Sequence, residues 1–205
     1  MTRAAAPAGA GAGQVPGFAM RRQNHSNWCW AAVAQAVGRH RGSNLSQQQI
    51  ATLHRRKHQG LTCDIVQPGN TGGTQCRPKP VGCDMACNGQ HAIANVLLDL
   101  GLWANSQTNF LENFTASPTV FGRIRAEIRA GRPVPARIGR RPNSKQGHFI
   151  CIAGFADDGG GDRLVTVLDP LPVGTGPASP RTFRFEDLWS YRGGLGSITH
   201  LYFVG

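Results

Sequence analysis

Apolar residues recur at helical spacing as far as Gly131 and in strand-like runs from Val134 onward, and this change of period restricts the chain to one class of fold. Before it, WCWAAVAQAVGRHRG (28–42) predicts a helix that ends at a glycine stop. Its alanines are strong helix formers whose small side chains permit close packing. Asn27 or Ser26 stands where a cap is needed. Ser46 and Gln49 form a capping-box pattern that opens a second helix, with Ile50 and Leu53 expected toward the core. Residues 90–100 predict a third helix, with Ile93, Val96, Leu97 and Leu100 on one face and Gly101 at its end. Residues 118–130 predict a fourth, with Phe121, Ile124 and Ile128 at helical spacing and Gly131 as its stop. Residues 134–138, 149–155, 164–168, 182–185 and 198–204 then read as strands, separated by turn signals such as Asp158-Gly159-Gly160-Gly161. Helices followed by strands imply an α+β fold, a helical N-terminal half packed on a C-terminal antiparallel sheet.

A chain of 205 residues, 40% of them hydrophobic, is sufficient for one well-buried domain. Residues 1–18, Ala/Gly-rich with a single arginine up to Val15, read as a flexible leader, and 19–205 as the domain. The leader lacks the apolar core of a secretory signal, so any export would use a route that needs no classical signal peptide, or a leader outside this sequence. No stretch approaches the roughly 20 apolar residues of a membrane span. Lysine and arginine outnumber aspartate and glutamate by 22 to 11, a net charge of +11 that favours approach to nucleic acid, anionic membranes or acidic proteins. The basic residues are scattered, Arg55-Arg56-Lys57 being the densest cluster, and no aromatic interleaving or recognised motif accompanies them; nucleic acid is not expected as a partner. Cys63, Cys76, Cys83 and Cys87 crowd into a Gly/Pro/Asn-rich loop, with twelve, six and three intervening residues. That spacing lacks paired CxxC knuckles, so two disulfides of open pairing are favoured over a structural zinc site.

Cys29 and Cys151 stand apart from this group. Cys29 opens the first helix, where unsatisfied N–H groups and the helix dipole favour a thiolate, as a neighbouring imidazolium does. Of the seven histidines, His148 follows Gly147, which gives room for close approach, and begins the rigid apolar run FICIAGF. Asp169 ends the strand LVTVL, and antiparallel pairing of 149–155 with 164–168 brings it to the same end as His148. Asp157, Asp158 and Asp162 fall at the opposite, hairpin end. A carboxylate beside the imidazole fixes its tautomer and stabilises its cation. Gln23, six positions before Cys29, is the candidate to join the Cys29 N–H as an oxyanion donor.

Gln23, then Cys29-Trp30-Ala31, and Gly147-His148 at a strand start together resemble the papain-like clan of cysteine peptidases. The likeness is to the bacterial branch typified by the AvrRpt2 effector, on Asn27–Ala32 (NWCWAA), Cys87-Asn88, Gly131–Val134 (GRPV), Gly147–Phe149 (GHF) and Val167–Pro170 (VLDP). The CGSCW-like signature of the lysosomal members is absent, and the third catalytic position is Asp rather than their Asn. The resemblance implies a papain-like fold, a cysteine peptidase with Gln23, Cys29, His148 and Asp169 as its site, and a bacterial, exported effector. A protein or peptide substrate, no cofactor, no metal and a monomeric state are expected with it. An acyl transferase or glutamine deamidase using the same site, and a non-catalytic binding module, are the alternatives.

Overall fold

The computed structural model describes residues 11–59, 62–65, 74–77, 89, 91–102, 109–110, 117–140, 147–157, 162–194 and 196–204. The ordered fold begins before the boundary expected at residue 18. Gly11–Gln14 forms β1, and Val15 is buried, its N–H bonded to the Ala153 carbonyl. Glycine here is a packing device rather than linker composition: a Cβ on Gly13 would lie 2.8 Å from the Phe155 ring.

Helix α1 (Cys29–His40) is buried on every side from Cys29 to Gly38, which its alanines make possible. Its N-cap is Trp28, with no side-chain hydrogen bond, so neither Asn27 nor Ser26 caps it as expected. Helix α2 (Gln47–Gln59) does open on the capping box: Ser46 N–H donates to Gln49 Oε1 (2.8 Å) and Gln49 N–H to Ser46 Oγ (3.2 Å). Its buried stripe runs Gln47, Ile50, Ala51, His54, Arg55, leaving Leu53 exposed. Polar side chains hold the inner positions, so hydrophobicity alone misassigned that face.

Strands β2 (Thr62–Ile65) and β3 (Thr74–Arg77) pair antiparallel within the expected cysteine loop, with Cys63 directly opposite Cys76 in the register. Cys83 and Cys87 lie outside the described residues. Next come α3 (Ile93–Asp99), β4 (Asn109–Phe110) and α4 (Pro118–Arg129). Helix α4 is capped by Ser117 Oγ on the Val120 N–H and followed by Gly131 at φ +74°. Strands β5 (Val134–Arg140), β6 (Gly147–Asp157), β7 (Arg163–Leu168) and β8 (Pro180–Arg184) lead to a 3-10 helix (Phe185–Ser190), the short α5 (Tyr191–Gly194) and β9 (Gly196–Leu201).

Among the described residues the main sheet runs β4-β9-β5-β6-β7-β8, with β1 also on β6. Strand β5 pairs with the first part of β6 and β1 with Gly154–Asp157, so the two share one edge. Strand β6 has both faces covered. Phe149, Cys151 and Ala153 join the core made with α1, α2 and α3; Ile150, Ile152 and Phe155 join the core made with α4 and the 3-10 helix. The irregularity between Ile152 and Gly154 explains why 153 and 155 fall on opposite sides despite their equal parity. A continuous run such as FICIAGF is what burial on two faces requires. The fold is α+β: helices packed on a C-terminal antiparallel sheet, consistent with a papain-like peptidase fold. No described helix is long and apolar enough to cross a membrane.

Candidate active site

Two rigid elements meet at the site: the N-terminus of α1, which carries Cys29, and the start of β6, which carries His148. Both side chains are nearly buried, Cys29 at 7% and His148 at 8% exposure. His148 Nε2 donates to Asp169 Oδ1 at 2.7 Å. The ring also hydrogen-bonds Cys29, and with Nε2 committed to Asp169, Nδ1 is the nitrogen left for the sulfur. Burial alone would push this imidazole down. The hydrogen bonds and charges of Asp169 and Cys29 outweigh it and raise the His148 pKa to about 9. His148 is therefore an imidazolium at neutral pH.

Asp169, 3% exposed, is held from four directions. Oδ1 accepts from His148 and from the Leu171 N–H (2.9 Å); Oδ2 accepts from the Tyr191 hydroxyl (2.7 Å) and the Arg192 guanidinium (2.9 Å). Burial works against its ionisation, but the partners, His148 first, keep its carboxyl below the ordinary carboxylate range. Arg192 adopts φ +49°, a left-handed backbone costly for a residue with a Cβ. Tyr191 and Arg192 escaped the sequence reading. They follow Asp169 by more than twenty residues, and neither lies in a periodic segment.

The loop before Cys29 is pinned from both sides. Gln23 N–H bonds the Pro170 carbonyl, and Gly174 N–H bonds the Gln23 carbonyl, each at 2.9 Å. From α2, Gln47 accepts from the Asn24 N–H (2.9 Å) and donates to the Arg22 carbonyl (2.8 Å). Gln47 too was missed, since only the tertiary fold aims it at this loop. Gln23 itself is buried, and its Nε2 bonds the carbonyls of His25 (2.8 Å) and Ser26 (2.7 Å). An amide has two such hydrogens, so both are committed, while Oε1 is buried without a partner.

Cys151 is the other free cysteine among the described residues. It is fully buried in β6, and desolvation pushes its thiol pKa far up, which makes it a core residue. His54 and His58, from the basic helix α2, bond Asp99 at 2.7 and 3.0 Å, and Lys57 Nζ reaches the same carboxylate at 2.8 Å. That network ties α2 to α3. His25 packs on Trp28, and His40 bonds the Gly131 carbonyl. Of the histidines outside the His148–Asp169 pair, His91 and His200 line a cavity that reaches Cys29.

The arrangement thus joins a thiol at a helix N-terminus to a protonated imidazole and a buried carboxylate. No curated protein and no solved structure matches the chain. The family model described as the Peptidase_C39 like family matches residues 15–197, which begin just after β1 and take in both halves of the site and the main sheet from β4 through β8 to the start of β9. The chain accordingly belongs to the Peptidase_C39 like family, a cysteine-peptidase-like family of hydrolases.

Proposed function

We propose that this protein hydrolyses peptide bonds as a papain-like cysteine peptidase. The observation that carries the reading is His148, bonded on one side to Asp169 and on the other to Cys29, with its proton retained to about pH 9. Cys29 attacks the carbonyl carbon as a thiolate. The C–N bond breaks as the His148 proton passes to the leaving amine, and a thioester remains. Water then attacks the thioester, giving its proton to His148, and the thiolate is released. Asp169 keeps the ring oriented and its cation stabilised throughout.

The oxyanion is received by the Cys29 N–H, which lies in the first turn of α1 where N–H groups lack intrahelical acceptors. Gln23 is the second donor in this scheme, after giving up one of its two loop carbonyls. Gln23→Ala is expected to lower kcat by about 10²-fold, the usual range for one oxyanion donor. It should also destabilise the protein by about 1–3 kcal/mol, because the His25 and Ser26 carbonyls lose their donor. Steady-state kinetics and urea denaturation measure the two effects, and a kcat loss without a stability loss would contradict the dual role.

The NWCWAA, GRPV, GHF and VLDP segments support assignment to the AvrRpt2-type bacterial branch, and with it the role of an exported effector. Incubation with a proteome followed by mapping of N-termini tests the reaction. New termini absent from the Cys29→Ala control are the expected result. A +1 Da change at glutamine, or a crosslink, would instead identify a deamidase or an acyl transferase.

A further inference from the structure

Beside Cys29 lies a cavity of about 290 Å³, near the lower end of ligand-pocket volumes and suited to a single side chain. Trp30, Phe149 and Tyr202 supply aromatic wall, and Arg137 supplies a guanidinium. Arg137 stands on β5 at a register irregularity between Arg137 and Ile138, the kind of bulge that re-aims a side chain near a site. Its Nη1 donates to Thr199 Oγ1 at 2.9 Å. Its plane lies so close over Gly147 that a Cβ there would be 2.7 Å from Nε and 2.9 Å from Cζ. The glycine preceding His148 thus admits the guanidinium to the edge of the catalytic pair.

The other basic groups of the cavity are histidines whose surroundings favour the neutral form. Burial, then Arg55 and the neighbouring histidines, lowers the His91 pKa to about 4; burial and Arg137 lower that of His200. Among the described residues lining the cavity, Arg137 is then the one formal cation, and none is a carboxylate. A planar fork of donors in a half-closed aromatic cleft matches a carboxylate. The net charge of +11 independently favours the approach of acidic chains.

We propose that this cleft is a specificity subsite for an acidic side chain adjacent to the scissile bond, with Arg137 as the residue that recognises its carboxylate. The assignment rests on the peptidase reading above and adds the substrate class to it. The methylenes of a glutamate would lie against the aromatic walls while its carboxylate meets the guanidinium.

The test compares wild type, Arg137→Gln and Arg137→Lys on quenched fluorescent peptides, C-terminally amidated and differing only in Glu or Gln at positions flanking the cleaved bond. Wild type should prefer Glu by about tenfold or more in kcat/KM, Arg137→Gln should lose the preference, and Arg137→Lys should keep part of it. Cleavage by wild type without a Glu preference, or an unchanged preference in Arg137→Gln, overturns the proposal. Alkylation of Cys29 gives a readout independent of turnover. The rate ratio of iodoacetate to iodoacetamide should fall about tenfold from wild type to Arg137→Gln, since the His148 imidazolium favours the anionic reagent to the same extent in both proteins. An unchanged ratio also overturns it. Should no peptide be cleaved while the ratio falls, the peptidase reading fails and carboxylate recognition by Arg137 is upheld.

Discussion

Replacing Cys29 by Ala is expected to lower turnover by about 10⁶-fold, the scale on which a catalytic nucleophile is lost, while the protein remains folded. The side chain is small, and its sulfur faces His148 beside the cavity, so its removal leaves little void and costs about 1 kcal/mol. One consequence separates this substitution from a general lesion. Cys29 is among the groups that raise the His148 pKa to about 9, so the His148 titration should move down in Cys29→Ala. NMR of the imidazole follows that shift, and the urea midpoint checks the fold. A variant that kept full activity on a substrate known to be cleaved would remove Cys29 from the mechanism.

The second large effect is expected at Asp169, where Asn should reduce kcat by about 10⁴-fold, as loss of an orienting carboxylate does in hydrolase triads. Here stability suffers as well. Asp169 Oδ2 accepts from both Tyr191 and Arg192, and an amide nitrogen in that place would face the Arg192 guanidinium with no acceptor. Leaving that cation without its counter-charge beside a buried site costs about 3–5 kcal/mol. Two readouts thus fall together, whereas a merely orienting carboxylate on the surface would move kcat alone.

The pH profile follows from the same contacts. In the proposed mechanism the working form needs a proton on His148, so kcat/KM should fall on the alkaline side with an apparent pKa of about 9. In Asp169→Asn the limb should move to lower pH, because the first of the raising partners is gone. For stability the signs differ between the two groups. The folded pKa of His148 lies above the ordinary imidazole value of 6.5, so its contribution is full below about 6.5 and lost as pH rises through about 9. That of Asp169 lies below its ordinary value of 3.8, so its contribution is present above that value and lost as pH falls through the depressed folded pKa. Urea midpoints measured across the pH range would show both edges, and a flat alkaline side would contradict the His148 assignment.

Much of this architecture was legible in the residues alone. The change of period at Gly131 gave the α+β order, because helical and strand repeats place apolar side chains on one face only at their own spacing. The Ser46/Gln49 pattern located the start of α2, since capping is satisfied within four residues. His148 and Asp169 were brought to one end of the sheet by the length of a hairpin, and the structure sets them 2.7 Å apart. Local and nearly local physics is sufficient for these features.

What lay beyond the sequence depends on partners distant along the chain. Gly11–Gln14 reads as linker until the Phe155 ring shows why glycine is needed there. Gln47 and His54 occupy a buried stripe because hydrogen-bonding groups from other segments meet them, which no hydrophobic pattern records. The sequence placed Gln23 ahead of the helix, but only the folded loop decides that both of its amide hydrogens go to carbonyls. Tyr191 and Arg192 reach Asp169, and Arg137 reaches Gly147, through pairings of strand and helix between segments distant along the chain. Residue type and order therefore brought forward Cys29, His148 and Asp169 as the candidate site, while the long-range packing of the sheet decided their support and the charge of the cleft beside them.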